Sequence, residues 1–239
     1  MHFNVPHIAT WKWRLLSTYQ TARNRILMKQ ADVRPKVFCI GLNKTGTTSW
    51  AYAMAELGYI VGSETKATMF FDDWVRKDFS RIIDYCRTQG QAFQDIPFNL
   101  PGTYREMDHA FPESKFVLTV RDTADAWFHS LINFHGKYWS LSGHIPPTTE
   151  DLARAVYWRR GFLADYCREV FKTPISDPYN RELLLDFYND YNKEVVNYFT
   201  DRPGDFLVLN VSQAGAYYRL CGFLGLPSGK GEFPWLNRT

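Results

Sequence analysis

The chain has 239 residues, of which 45% are hydrophobic and 22% are charged. These proportions exclude a disordered chain and a membrane protein, and the length suits one sizeable hydrophobic core. The formal net charge of +3 is too small to indicate a nucleic-acid-binding protein.

The cysteines are widely spaced and contain no C-x-x-C pair: Cys39, Cys86, Cys167 and Cys221. This spacing favours reduced thiols over a disulfide framework or a structural metal site. We therefore expect a cytoplasmic protein.

The first predicted element is a basic helix within residues 1–34. Apolar residues recur there at helical spacing: Trp11, Leu15, Tyr19, Ala22 and Ile26. Basic residues interrupt the run from Trp11 to Met28, so neither a signal peptide nor a membrane span is expected. We expect this helix to pack against its own domain, while contact with an anionic membrane surface or with a partner subunit, such as a second copy, stays open.

Residues 36–49 combine a strand, a turn and the start of a helix. The apolar run 36–41 leads through a glycine-bracketed turn into a helix that begins with hydroxyl residues, which suits a phosphate or sulfate group. Gly41 and Gly46 fit the G-x-x-x-x-G spacing of a phosphate loop, whose lysine follows the second glycine in nucleoside-triphosphate enzymes. Here Lys44 precedes Gly46, so the pattern predicts an oxyanion-binding loop of another kind.

The run from Gln91 to Phe98 predicts a short strand that stops before Pro97, which cannot continue a central strand. Asp95 lies two residues before this proline. A carboxylate at a strand end can take the proton of an acceptor hydroxyl. A structural aspartate in a turn or at a helix N-cap is the alternative, and three histidines are rival bases: His109, His129 and His135.

A second candidate anion site follows the strand predicted at 115–120. Arg121 lies where that strand ends, on the edge of the sheet to which Lys44 is also assigned. The helix predicted at 123–136 carries Ser130, which could share an anion with the planar guanidinium of Arg121.

Strands and helices alternate along the rest of the chain. Further strands are predicted at 58–62, 91–95 and 206–210, and helices at 46–57, 72–89, 102–110, 149–172, 179–200 and after the last strand. Residues 136–147, including Tyr138 and Trp139, are expected to form a loop beside the binding edge. The alternation predicts a single α/β domain over residues 35–239, with three layers (α/β/α) and a central parallel sheet.

The loop Lys-Thr-Gly-Thr-Thr-Ser at 44–49 resembles the 5′-phosphosulfate loop of sulfotransferases that use 3′-phosphoadenosine 5′-phosphosulfate (PAPS). The strand, Arg121 and Ser130 resemble the 3′-phosphate motif of the same P-loop-containing family. In that motif the serine follows the arginine by eight residues, whereas here it follows by nine. One extra residue rotates a helical side chain by about 100°, so Ser130 is the weaker match.

The resemblance implies a role for each motif. The 5′-phosphate end of PAPS would be held by six residues: Lys44, Thr45, Gly46, Thr47, Thr48 and Ser49. Lys44 would also stabilise the departing phosphate, and Arg121 with Ser130 would hold the 3′-phosphate. Asp95 stands where cytosolic relatives have a catalytic histidine, an Asp-x-Pro pattern that resembles another branch of the superfamily. No metal is required in this scheme, and the product is 3′-phosphoadenosine 5′-phosphate.

The similarity runs from about residue 35 to the end, although residues 138–178 match nothing specific. Near the C-terminus, Lys230 and Gly231 are the local candidates for a further 3′-phosphate contact. The expected activity is transfer of a sulfuryl group to a hydroxyl or amine of a small-molecule or glycan acceptor. The alternatives are a P-loop nucleotide kinase-like phosphotransferase and a non-catalytic nucleotide-binding or membrane-associated scaffold.

Overall fold

The computed structural model describes residues 10–30, 33–228 and 231–233, with side chains of the first range described for residues 18–29. Four strands form one sheet: β1 (Val37–Cys39), β2 (Ala92–Phe93), β3 (Lys115–Thr119) and β4 (Phe206–Leu209). Their order is β2-β1-β3-β4, and all neighbours are parallel. The chain passes from β1 to β2 on one side and then to β3 on the other, which opens a crevice at the carboxyl end of β1.

Helices cover both faces of the sheet. They are α1 (Thr10–Gln30), α2 (Thr47–Glu56), α3 (Glu64–Thr68), α4 (Phe71–Val75), α5 (Ser80–Gln89), α6 (Thr103–Ala110), α7 (Ala124–Trp139), α8 (Thr149–Arg154), α9 (Phe162–Tyr166), α10 (Arg181–Tyr198) and α11 (Ala216–Leu224). A single π-helical turn, Cys167–Phe171, continues α9. The predicted α/β class with a central parallel sheet is confirmed.

Alternate residues of the strands supply two hydrophobic cores. Phe38 points into the larger core and stacks between Phe93 and Phe116, with ring centroids 5.5 Å apart on each side. Val37 and Cys39 point into the smaller core beneath α2 and α11. Because both faces are buried, the central strand is apolar at every position.

Two predicted elements near the N-terminal half are wrong in detail. Residues 58–62 form no strand but only one parallel bridge, between Val61 and Ala92. The helix predicted at 72–89 is broken into α4 and α5, because Lys77 adopts a left-handed φ of 59°. After this break the carboxylate of Asp78 accepts hydrogen bonds from the N–H and hydroxyl of Ser80, the first residue of α5.

Two further boundaries differ in the C-terminal half. The helix predicted at 149–172 is interrupted by a tight turn closed by a Val156–Arg160 bridge, after which Gly161 has a φ of 73°. By contrast, α7 continues through Gly136 to Trp139, so Tyr138 and Trp139 lie on a helix and not in the predicted loop. Gly136 packs so closely on Ile145 that a Cβ atom would lie 2.7 Å from it.

Helix α1 contacts α3 and α5 through a different face from the predicted apolar stripe. Asn24 is buried, and its amide donates to the carbonyls of Val61 and Gln89 at 2.9 and 2.7 Å. Tyr19 and Ile26, from the predicted stripe, are 69% and 62% exposed. Helix α1 therefore packs on its own domain, but Tyr19 and Ile26 do not face it; the side chains of Trp11 and Leu15 lie outside the described part. No helix among the described residues is long and apolar enough to cross a membrane.

Candidate active site

The loop after β1 packs against the end of β3. A Cβ atom on Gly41 would lie 2.1 Å from Oγ1 of Thr119, so this position admits only glycine. The buried hydroxyl of Thr45 donates to the carbonyl of Leu42 at 2.6 Å and lies 2.7 Å from the Thr119 hydroxyl. Thr45 was predicted to bind the donor, but its side chain stabilises the conformation of the loop.

Helix α2 begins without a side-chain cap. Its N-cap residue, Gly46, has a φ of 97°, and a Cβ atom there would lie 2.3 Å from Val211. The N–H groups of Thr47, Thr48 and Ser49 belong to the first turn, where a helix lacks internal acceptors. These groups and the positive end of the helix dipole favour an anion.

Lys44 sits beside this helix start in a left-handed conformation, with a φ of 72°. Its Nζ lies 3.5 Å from the centroid of the Phe134 ring, a cation–π contact. Burial, followed by the positive charges of Arg121 and Lys137, lowers the pKa of Lys44 to about 8, and the negative charge of Asp95 acts in the opposite direction. A bound anion would relieve this accumulation of positive charge.

Arg121 joins the two predicted anion sites. Its Nε donates to the backbone carbonyl of Lys44 at 2.7 Å, and its Nη2 donates to the hydroxyl of Ser130 at 3.1 Å. Its own N–H donates to the hydroxyl of Tyr188 at 2.9 Å. The nine-residue spacing therefore still brings Ser130, which is buried on the inner face of α7, to the guanidinium.

Asp95 lies in a turn with its carboxyl group directed at the loop. Its carbonyl accepts from the N–H of Phe98 at 2.7 Å, as in the structural alternative, while Oδ1 accepts from the Asn43 amide and from the N–H of Ile96. The residue is 8% exposed. Burial raises the pKa of Asp95 against the opposing effect of these hydrogen bonds and of Lys44.

Asn43, which the sequence analysis missed, ties the loop to its surroundings. Its side-chain oxygen accepts from the Asn99 amide at 2.9 Å and from the Tyr166 hydroxyl at 3.0 Å. Its backbone carbonyl accepts from the indole of Trp127 at 2.9 Å. In the sequence, only its position inside the Gly41–Gly46 loop could have indicated this role, because its partners are distant in the chain.

Glu64, at the start of α3, is a second missed residue. Its Oε2 accepts a hydrogen bond from Nε2 of Gln94 at 3.0 Å, and Gln94 is the residue that precedes Asp95 in the chain. Burial and the charge of Asp95 raise the pKa of Glu64. The sequence carries no local signal for this contact.

The rival histidines differ in their surroundings. His135 is buried, with Nδ1 2.6 Å from the Tyr179 hydroxyl; burial and the charge of Lys44 lower its pKa to about 3, so the ring is neutral. His109 and His129 are exposed. A surface groove of about 410 Å³, at residues 146–150 and 176–179, includes Tyr179 but none of the predicted binding residues.

The C-terminal candidates lie apart from these contacts or outside the described residues. Lys230 is outside the described part. Gly231 packs on the ring of Tyr217, where a Cβ atom would lie 2.2 Å away, and Phe233 packs on the same ring. Gly231 thus has a packing reason to be glycine.

Comparison with known proteins identifies one family. The sequence profile of the family described as "Sulfotransferase domain" matches residues 36–239, which include every strand described above. A search of the curated proteins gives no significant match.

Proposed function

Because this chain belongs to the sulfotransferase-domain family, and is on that basis a transferase of sulfuryl groups, we propose that its donor is PAPS and its acceptor a hydroxyl or amine of a small molecule or glycan. One observation carries the proposal: the 2.7 Å hydrogen bond from Arg121 to the Lys44 carbonyl. It brings a guanidinium beside a loop and helix start that suit an anion. Two such groups in contact fit one ligand with two anionic ends.

The residues present fit a bisphosphorylated nucleotide. The uncapped start of α2, with the N–H groups and hydroxyls of Thr47 and Thr48, would hold the 5′-phosphate end. Arg121, with Ser130, would hold the 3′-phosphate through the fork geometry of its guanidinium. Gly41 and Gly46 let the loop backbone pack closely against Thr119 and Val211, where a side chain on either glycine would clash. When bound, PAPS would supply the activated sulfuryl group.

Lys44 and Asp95 would then have separate chemical roles. As the acceptor oxygen bonds to sulfur, the bond from sulfur to the bridging phosphate oxygen breaks. The ammonium of Lys44 would stabilise the charge that develops on that oxygen. Asp95 would accept the acceptor's proton, and because burial raises its pKa it is a stronger base than an ordinary aspartate.

Isothermal titration with adenosine 3′,5′-bisphosphate and with magnesium–ATP tests the donor. We expect the bisphosphate to bind more tightly, since Arg121 matches a phosphate on the 3′ position and the loop lacks the Gly-Lys-Ser/Thr of nucleoside-triphosphate enzymes. Tighter binding of magnesium–ATP would favour the kinase-like alternative. Bisphosphate binding without transfer to any acceptor would favour the non-catalytic scaffold.

The outward face of α1 supports a second, peripheral role. Tyr19 and Ile26 are exposed there, among the basic residues Arg23, Arg25 and Lys29. Apolar and basic side chains on one surface helix suit an anionic lipid surface. We propose weak membrane contact through this face.

The buried, unpaired thiols of all four cysteines are compatible with the reducing cytoplasm.

A further inference from the structure

Two carboxyl groups lie near each other beyond the carboxyl edge of the sheet. Val61 pairs with Ala92 in parallel register, and the N–H of Gly62 donates to the Ala92 carbonyl at 2.8 Å. Three positions further along each segment stand Glu64, at the start of α3, and Asp95, in the turn after β2. Burial and then the charge of Asp95 raise the pKa of Glu64, so the two carboxyl groups are close enough to interact.

Gln94 connects the pair and leaves one acceptor unused. Its side chain is 6% exposed and donates from Nε2 to Oε2 of Glu64 at 3.0 Å. Its Oε1 is buried without a hydrogen-bond partner among the described residues. A buried carbonyl oxygen without a donor is unfavourable, and here it belongs to the amide that holds Glu64. The cluster of Glu64, Gln94 and Asp95, called here the acceptor cluster, therefore has one buried acceptor, Oε1 of Gln94, that lacks a donor.

The acceptor cluster is also short of positive charge. In the described part of the chain, neither Glu64 nor Asp95 forms an ion pair with a lysine or arginine. At the loop, on the side assigned to the donor, Arg121 and Lys137 act on Lys44, and Lys44 also acts on Asp95. Positive charge is thus concentrated at the donor end, and the carboxyl groups of Glu64 and Asp95 lie at the other end.

The aromatic ring of Tyr157 belongs to this end of the site. Burial, followed by the charges of Glu64 and Asp95, raises the pKa of Tyr157, so its hydroxyl is close enough to interact with both carboxyl groups. Tyr157 belongs to the tight turn between Val156 and Arg160 and stacks on Phe162 at 5.3 Å. Among the described residues no group of three or more His, Cys, Asp or Glu could hold a metal ion. An organic cation with an apolar body therefore fits this end better than a metal.

We propose that Glu64 determines acceptor specificity, by pairing with a protonated amine on an acceptor whose neighbouring hydroxyl faces Asp95. The acceptor class is an amino alcohol with an apolar or aromatic body. Glu64 accepts from the ammonium, the free oxygen of Gln94 accepts a further N–H, and Asp95 takes the hydroxyl proton. This inference rests on the proposed sulfuryl transfer, because it assigns the acceptor side of the same site.

Two isosteric probes test the proposal. Both 2-amino-1-phenylethanol and 1-phenylpropan-1-ol carry the same hydroxyl, and a methyl group in the second replaces the ammonium of the first. Each is titrated into the full chain saturated with adenosine 3′,5′-bisphosphate, and each is offered with PAPS as a sulfation substrate. We expect the amine to be favoured at least about tenfold in affinity and in kcat/KM, and Glu64→Gln to reduce that ratio to about one.

The outcomes separate this inference from the proposed function. Failure of the bisphosphate to bind would contradict the proposed function itself. If the bisphosphate binds but the amine has no advantage in the wild type, or if Glu64→Gln keeps the advantage, only the acceptor assignment is wrong. If neither probe binds to the bisphosphate complex, the acceptor assignment is likewise wrong.

Two further variants exclude an indirect effect of the substitution. Glu113→Gln removes an exposed carboxylate just before β3, at the amino ends of the strands and away from the site, and should leave the ratio unchanged. Glu64→Asp keeps the charge and should retain part of the preference. Loss of the preference in Glu64→Asp and Glu113→Gln alike would point to general destabilisation, and would contradict a specific pairing with the amine.

Discussion

The guanidinium of Arg121 donates a 2.7 Å hydrogen bond to the backbone carbonyl of Lys44, 77 residues earlier in the chain. The contact is a consequence of topology, because β1 and β3 are neighbours and their carboxyl ends meet at one edge. It joins a loop that suits a phosphosulfate to a side chain that suits a second phosphate.

Lys44→Ala should lower sulfuryl transfer by roughly 100- to 1,000-fold, the usual effect of removing one preorganised charged donor. The protein should stay folded, as measured by circular dichroism and thermal melting. Lys77→Ala is the matched control, since Lys77 is exposed and also has a left-handed φ, of 59°. Near-normal turnover in Lys44→Ala would remove this lysine from the mechanism.

Arg121→Ala should weaken binding of adenosine 3′,5′-bisphosphate by about 1.5–3 kcal/mol, as expected for hydrogen bonds to a charged group. Binding of adenosine 5′-monophosphate, which lacks the 3′-phosphate, should change much less. Arg87→Ala, on an exposed ion pair with Asp84, serves as the control in the same titrations. Equal losses for both nucleotides in Arg121→Ala would contradict the assignment to the 3′-phosphate.

The pH profile of kcat/KM should be bell-shaped. Asp95 must be ionised to accept a proton, and because burial raises its pKa, activity should fall with decreasing pH at a higher value than for an ordinary aspartate. Lys44 must be protonated, so activity should fall again as pH rises through about 8 in the free enzyme. A bound anionic donor favours the ammonium and should shift that limb of the kcat profile to higher pH.

Asp95→Asn should lower the rate and remove the acidic limb of the profile. His135→Asn should retain the limb, because His135 is already neutral over this range, with a pKa of about 3. Loss of the acidic limb in the histidine variant alone would identify His135 as the base. The two variants are compared with the same acceptor and saturating PAPS.

Glu64→Gln should be stabilising relative to the wild type, increasingly so as pH rises. The folded-state pKa of Glu64 is raised, so its protonated form favours folding at low pH, and this contribution is lost as pH rises towards the folded-state pKa. Glutamine does not titrate. The difference in Tm between variant and wild type should therefore grow from pH 5 to pH 9, and a constant difference would show that Glu64 is not desolvated.

Replacing Tyr19 and Ile26 together by serine should reduce binding of the full chain to vesicles that contain phosphatidylserine. Both side chains are exposed on α1, so folding should be unaffected. Tyr218→Ser on α11, which is 50% exposed, is the control. Equal vesicle binding by wild type and the double variant in sedimentation assays would exclude this face of α1.

The α/β alternation and the loop at Lys44 were predictable because each rests on a local pattern. The strand predicted at 36–41 is apolar from Val37 to Ile40 and leads into a turn bracketed by Gly41 and Gly46, and Arg121 directly follows the largely apolar run 116–120. The contact between Arg121 and Ser130 was less predictable. It depends on where α7 starts, at Ala124 after the Thr123 cap, and not on the spacing alone.

Other features depend on tertiary contacts that no local pattern encodes. Glu64 becomes part of the site because a single bridge aligns Val61 with Ala92, while the sequence favours a full strand at 58–62. Asn43 contacts Asn99, Trp127 and Tyr166, all more than 50 positions away. The outward direction of Tyr19 follows from the burial of Asn24, a polar residue that binds two carbonyl groups of the domain.

A crystal structure with adenosine 3′,5′-bisphosphate would test both anion sites in one experiment. We expect one nucleotide with its 5′-phosphate at the N–H groups of residues 47–49 and its 3′-phosphate on the Arg121 guanidinium, with the acceptor side towards Asp95 and Glu64. A nucleotide bound at another surface, or one whose 3′-phosphate makes no contact with Arg121, would contradict it.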